Sequence, residues 1–268
     1  MKKVGILGVG KYLPEKVLTN ADLEKIVETS DEWITTRTGI KERRIAAKNE
    51  ASSDLATKAA KQALKAAGLK AADVDLIIVA TITPDMQFPS TAMFVQNKLG
   101  ANNAFCFDIS AACAGFIYAI AIAQQFIARG TCKNALVIGA ETLSRITDWE
   151  DRNTCVLFGD GAGAVVLGGT NTAGILSVYL GADGSKTSLL QMPGGGSLCP
   201  ASAQTIKDRL HYIKMEGNEI FKIAVTSMAE AAQMALKNAG LKCADVNWII
   251  PHQANIRIIN AVAKRLGF

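Results

Sequence analysis

Histidine is scarce in this chain. There are two in 268 residues, His211 and His252, so any chemistry that needs an imidazole has two candidates. Aromatic residues make up only 6% of the chain, and no long Lys/Arg block occurs, which leaves out the basic and stacking surfaces of nucleic-acid binding. The six cysteines (106, 113, 132, 155, 199, 243) form no C-x-x-C pair and no Cys/His cluster. That spacing excludes a structural zinc site and does not mark a secreted disulfide framework. The first apolar stretch, Val4–Leu7, is too short for a signal peptide. The apolar run Ala111–Ala123 stops at Gln124-Gln125, too soon to cross a bilayer, and reads as a buried helix. A cytoplasmic protein with reduced thiols, no metal and no membrane contact is expected.

What is present suits a large globular α/β chain. Half the residues are hydrophobic (49%), 20% are charged, and the net charge is a mild +5, so burial can outweigh chain entropy. The chain also repeats itself. Ala63–Ile78 returns as Ala235–Ile250, 172 positions later, with four of sixteen pairs differing. Each copy predicts an amphipathic helix, a stop at Ala-Gly-Leu, a short Ala-Asp link and a buried strand. A weaker echo, Lys98-Leu99-Gly100 with Arg265-Leu266-Gly267, extends it. Strands are predicted over 4–7, 74–81, 104–109, 135–138, 162–167, 174–180 and 246–251. Helices are predicted over 53–67, 113–128, 218–238 and 257–266. Gly181–Pro200, rich in Gly and Ser, is expected to be a surface excursion.

Cys113 sits among small residues in Ala111-Ala112-Cys113-Ala114-Gly115-Phe116, between a strand and a helix. A thiol on a first helical turn feels the positive end of the macrodipole, which favours thiolate and suits a nucleophile; a packed core cysteine is the alternative. His252 directly follows the second repeated strand, where α/β sheets present residues to a ligand crevice. It could handle a proton for Cys113 or merely cap the next helix. His211, among Arg209, Tyr212 and Lys214, is expected at the surface. Trp33 and Arg37 could sandwich a planar base, or form a solvated helix end whose Trp covers core. Gly5-Ile6-Leu7-Gly8-Val9-Gly10 has the wrong spacing for a dinucleotide loop. Gly159–Ala164 reads as a tight turn ahead of a strand.

Four segments taken together resemble the β-ketoacyl-acyl-carrier-protein synthase III family of thiolase-fold condensing enzymes: Thr29–Ile40, Ala111–Phe116, Phe158–Ala164 and His252–Ile258. The resemblance implies two like halves in a five-layered αβαβα sandwich, here 1–170 with the nucleophile and an incomplete 171–268. It implies that Cys113 takes an acyl group from acetyl-CoA or another short acyl-CoA. Malonyl-acyl-carrier-protein then loses carbon dioxide, and its enolate attacks the acyl group, with His252 stabilising the enolate oxygen. Thr29, Trp33, Arg37 and Arg152 would hold the CoA nucleotide, and Gly217, Asn218 and Asn255 the pantetheine. Phe88, Phe158 and Leu190 would shape the acyl pocket, Phe88 across a homodimer. Lys222, Gln253, Ala254, Asn255, Ile256, Arg257, Lys264 and Arg265 would meet the acidic carrier protein. CoA thioesters are substrates in this scheme, and no cofactor is implied.

Two parts expected from the resemblance are missing. The family's active-site asparagine follows the histidine by about thirty residues, and no residue stands there before Phe268; a glycine-rich strand that completes the oxyanion hole is missing too. A C-terminally truncated chain is therefore expected. Losing one oxyanion donor costs roughly a hundred- to a thousandfold in rate. A polyketide- or signal-type acyltransferase and a non-catalytic partner subunit are the alternatives.

Overall fold

The computed structural model describes residues 2–172 and 174–268. The chain opens with β1 (Val4–Tyr12), β2 (Lys16–Thr19), α1 (Asn20–Leu23), α2 (Asp31–Thr38) and β3 (Glu42–Ile45). Next come α3 (Ser52–Ala67), β4 (Leu76–Ala80), α4 (Thr91–Leu99), β5 (Phe105–Ile109), α5 (Gly115–Ala128), β6 (Asn134–Thr142), α6 (Arg152–Cys155) and β7 (Asp160–Gly169). Last are β8 (Leu190–Gln191), α7 (Ala203–Lys207), β9 (Lys214–Met215), α8 (Gly217–Ala239) and α9 (Ile256–Leu266). The chain forms two compact units. The first gathers 1–17, 44–143 and 159–176; the second gathers 18–43, 144–158 and 177–268. This division interleaves along the chain and does not follow a cut at 170/171.

The first unit is built on a mixed sheet in the order β1-β7-β6-β4-β5. β4 runs parallel to β5 and β6, while β7 runs antiparallel to β6 and β1. All five residues of β4 are buried, and they alternate between two cores. Ile77 and Val79 join α3 and α4 on one face; Leu76, Ile78 and Ala80 join α5 on the other. This period of two under helices on both faces explains the unbroken apolar run Leu76-Ile77-Ile78-Val79-Ala80. Burying each such side chain fully stabilises the fold by about 1.5–3 kcal/mol. The early glycines belong to this packing. A Cβ on Gly8 would lie 2.4 Å from the Ala63 carbonyl oxygen, and one on Gly10 would lie 2.2 Å from that of Ala59. Gly5–Gly10 is thus a strand pressed onto α3. The Gly159–Ala164 motif likewise lies almost wholly within β7 rather than in a turn, and the Asp160 carboxylate accepts from the Ala46 N–H at 2.7 Å.

The duplicated segments fold alike at first. Gly68 (φ 67°) and Gly240 (φ 70°) both end their helices in the left-handed conformation that glycine adopts freely. Lys70 N–H donates to Asp73 at 2.7 Å, and Lys242 N–H to Asp245 at 2.8 Å. Then the copies diverge. The first continues into β4; residues 246–251 run on without a ladder, and so do residues 174–180, against the expectation of strands at both places. Leu76 and Ile78 are 0% exposed, whereas their repeats Trp248 and Ile250 are 87% and 94% exposed. A strand is defined by a ladder of backbone pairs with a neighbour: Ile175 N–H donates to the Val4 carbonyl at 2.8 Å without starting a ladder, and among the described residues no strand pairs with 246–251.

Candidate active site

Cys113 lies in the first unit, in a single 3₁₀ turn (Ala112–Ala114) that joins β5 to α5. Ala112 holds φ 45°, the left-handed region that an alanine enters at a cost of roughly 1–2 kcal/mol. Gly115 lets this corner close onto the sheet: a Cβ there would stand 3.1 Å from the Ala80 Cβ. The residue retains exposed surface, but its thiol does not match the thiolate expected from a helix N-terminus. Desolvation by the surrounding protein pushes its pKa up, its own N–H pulls it down, and the charge of Glu141 pushes it up further. The turn leads directly into α5 at Gly115.

Glu141, at the end of β6, was not foreseen. Its carboxylate accepts from Ile82 N–H at 2.9 Å and from the Thr83 hydroxyl at 2.5 Å. Burial raises its own pKa against these hydrogen bonds. The Thr83 hydroxyl also accepts from the Thr142 N–H at 2.9 Å, and Ser52 donates to the Thr83 carbonyl at 2.6 Å. This buried polar network anchors the loop after β4.

The second unit contains a cavity of about 470 Å³ lined by Trp33, Arg37, Asn153, Leu157, Met215, Gly217, Asn218 and neighbours. Ser30 caps α2 by accepting from the Trp33 N–H at 3.1 Å, which sets the indole on the helix's first turn. Trp33 packs against Leu23, Ile34, Cys155 and Val156, and it also carries two guanidiniums. The centres of Arg37 and Arg152 lie 4.9 and 4.3 Å from its ring centroid. The two sequence alternatives for Trp33 therefore both hold: it covers core and it offers a stacking face. Two buried polar atoms lack a hydrogen-bond partner: Oγ1 of Thr29, four residues before Trp33, and Nε of Arg152. Such atoms are costly unless a ligand or water satisfies them.

Arg43 and Asn20, also unforeseen, hold these parts together. The Arg43 guanidinium, only 3% exposed, donates to the Val156 carbonyl and to Asn20 Oδ1, and burial pushes its pKa down. Asn20 in turn donates to Asp31 Oδ1 at 2.6 Å and to the Ile40 carbonyl at 2.9 Å.

His252 follows an unpaired extended segment rather than a strand end; desolvation pushes its pKa down. It does not cap α9. Asn255 does, its Oδ1 accepting from the Ile258 N–H at 2.9 Å, so this side chain is engaged in a cap rather than turned wholly to a ligand. His211 is not a free surface residue: it is half-buried, stacks on Tyr212 at 4.0 Å, and its Nδ1 is buried without a partner. The neighbouring Ile213 N–H bonds the Ile146 carbonyl at 2.9 Å, which draws the segment inward. Phe88, 84% exposed, lies in the first unit, while Phe158 and Leu190 lie in the second. Lys222, Gln253, Ile256, Arg257, Lys264 and Arg265 are exposed, and Ala254 is half-buried. Lys222 pairs with Glu219 at 2.7 Å, Arg257 lies over Phe221, and Arg265 donates to Thr226.

A family profile described as 3-oxoacyl-[acyl-carrier-protein] synthase III matches residues 107–184, and its C-terminal companion matches 236–268. The beta-ketoacyl-[acyl-carrier-protein] synthase III of Caldanaerobacter subterraneus subsp. tengcongensis is 63% identical over 98% of this chain and 80% of its own. The chain belongs to the 3-oxoacyl-[acyl-carrier-protein] synthase III family. It is an acyltransferase, a condensing enzyme of fatty acid biosynthesis, and its fold is the family's thiolase fold. The solved synthase III of Aquifex aeolicus VF5 superposes with a TM-score of 0.91 at 55% identity, covering 99% of this chain and 81% of that one. The priming β-ketosynthase of the R1128 polyketide pathway superposes with a TM-score of 0.92 at 37% identity, covering 99% and 79%. The expectation of truncation is not borne out by these matches, which run through nearly all of the chain; they extend over about four-fifths of each relative. Synthases of this family use acyl-CoA and malonyl-carrier-protein substrates in general. Among the described residues no helix is long and apolar enough to cross a membrane.

Proposed function

We propose that this synthase III starts fatty acid chains from acetyl-CoA or another short acyl-CoA, with Cys113 as the acyl carrier. The observation that supports this best is the Trp33 indole under two guanidiniums at the wall of the cavity. A stacking face with fixed positive charge suits an adenine nucleotide bearing phosphates. Thr29, Trp33, Arg37 and Arg152 take the nucleotide end, and Gly217, Asn218 and Asn255 the pantetheine. The raised thiol pKa means that Cys113 rests protonated. As the thioester arrives, Sγ loses its proton to a base and bonds to the carbonyl carbon. The C–S bond to CoA then breaks, and the leaving thiolate takes up a proton. His252, whose pKa desolvation lowers, is the base we assign. Malonyl-carrier-protein next loses carbon dioxide, and its enolate carbon bonds to the acyl carbon as Cys113 Sγ departs. His252 donates to the enolate oxygen, where charge develops only in the transition state.

Lys222, Gln253, Ala254, Asn255, Ile256, Arg257, Lys264 and Arg265 would receive the carrier protein; charges of this kind steer encounter and weaken with salt. We assign a homodimer as well. Among the described residues β5 pairs with β4 alone, and Phe105 on it, Met93 on α4 and Ile117 on α5 are exposed at 41%, 45% and 48%, as is Phe88 at 84%. Such an apolar sheet edge favours pairing with a second copy, and Phe88 would reach the partner's acyl pocket beside Phe158 and Leu190. Six free cysteines support a cytoplasmic site. Two-stage labelling tests the chemistry: radiolabelled acetyl-CoA should mark Cys113, and malonyl-carrier-protein should discharge the label. Equal label on Cys113→Ala would end this assignment.

A further inference from the structure

The loop that carries Arg152 is fastened by a cluster which the reaction itself does not call for. Asp148 is buried, 4% exposed, and its carboxylate faces two cations. Arg209 donates to both of its oxygens, with Nε at 3.0 Å from Oδ2. Lys214 Nζ stands 3.5 Å away, and Arg209 also reaches Glu150 at 3.0 Å. The pull of Arg209 holds the Asp148 carboxyl down at about 2, so Asp148 is ionised at neutral pH. Arg209 makes these bonds from φ 57°, a left-handed backbone that arginine rarely adopts. Backbone strain of this kind persists only where surrounding contacts fix it.

Asp148 also shapes the turn ahead of it. Its Oδ1 accepts from the Glu150 N–H at 3.1 Å, and its carbonyl accepts from the Asp151 N–H at 3.0 Å. Asp151 then caps α6, accepting from Asn153 N–H at 3.0 Å and from the Thr154 hydroxyl at 2.8 Å. Arg152 is the first residue of that helix and lies over Trp33. On the other side, Lys214 is followed by Met215, Gly217 and Asn218, which line the same cavity. One ion-pair cluster therefore ties the 144–158 loop to the 209–218 segment, and each supplies a wall of the cleft.

We infer that Arg209 is a positioning residue: acting through Asp148, it fixes Arg152 over Trp33 and so sets the nucleotide end of the acyl-CoA site. The inference rests on the assignment of this cleft to CoA. A long cationic side chain on a short helix has many rotamers, and fixing its backbone removes much of the entropy otherwise lost on binding. A substrate without a nucleotide gains nothing from that order.

The test compares acylation of Cys113 by acetyl-CoA and by acetyl-pantetheine, which lacks the nucleotide, in the whole chain. Arg209→Gln should lower kcat/KM for acetyl-CoA by roughly tenfold, through KM, and leave acetyl-pantetheine within about twofold. Arg209→Lys, which keeps a charge but not the two-pronged contact, should fall between Arg209→Gln and wild type. Equal losses on both substrates would mean a general structural role, and no loss on either would mean an idle surface pair; each overturns the inference. Trp33→Ala checks the underlying assignment separately. If it fails to discriminate between the two substrates, the cleft is not the nucleotide site, whatever Arg209 does. Calorimetric titration of CoA into wild type and Arg209→Gln gives the same comparison without turnover. Equal affinities there would also overturn the role of Arg209.

Discussion

Around Cys113, desolvation and the Glu141 carboxylate both work against the thiolate, and only the residue's own N–H works for it. The Cys113 thiol thus has a pKa above the ordinary value, and its reactivity should rise with pH beyond the usual thiol range. Removing the Glu141 charge removes one of the two upward pushes. Glu141→Gln is expected to shift the pH midpoint of Cys113 alkylation by iodoacetamide to lower pH, since the thiolate then faces one less negative charge. An unchanged or higher midpoint would show that Glu141 acts on the loop at Thr81–Thr83 alone. Two residues here left no trace in the sequence. Ala112 takes a left-handed φ without being a glycine. Glu141 is one acid among 24 acidic residues until the fold brings Ile82 and Thr83 onto it.

The packing of β1 on α3 hinges on two missing side chains. In Gly10→Ala the new methyl group would meet the Ala59 carbonyl oxygen at 2.2 Å, and both are backbone-fixed. The helix must lift off the strand, at a cost of about 1–3 kcal/mol, measured as a lower urea midpoint; an unchanged midpoint would contradict the close approach. At this scale much of the structure could be read from residue order. The long helices end within a residue or two of where Gly68 and Gly240 stop them, because capping and amphipathic spacing are local properties. The buried strand Leu76–Ala80 was legible for the same reason. Residues 246–251 carry the pattern of a strand without forming one, because pairing depends on a neighbour that the pattern does not contain. The cleft was legible in part. Trp33 and Arg37 are one helical turn apart, but Arg43 reaches Val156 across 113 positions, and Arg209 reaches Asp148 across 61. Contacts of that range come from the fold and carry no local signature.

For the whole molecule, the proposed dimer would tie the edge of β5 to the chemistry proposed for Cys113, because in it Phe88 would reach toward the partner's acyl pocket. Sedimentation velocity should find a dimer, and Phe105→Lys, which places a charge on the exposed edge, should shift it toward monomer. A wild-type monomer at micromolar concentration would remove the dimer and the role of Phe88. The central claim is that Cys113 accepts an acyl group from CoA and passes it to a malonyl-derived enolate. The most direct measurement follows a radiolabelled acetyl group by peptide mapping, before and after malonyl-carrier-protein is added. The account predicts label on the peptide containing Cys113 after acetyl-CoA, then its transfer to a β-ketoacyl-carrier-protein with release of carbon dioxide. Label on a different residue, or label on Cys113 that malonyl-carrier-protein does not discharge, would contradict it.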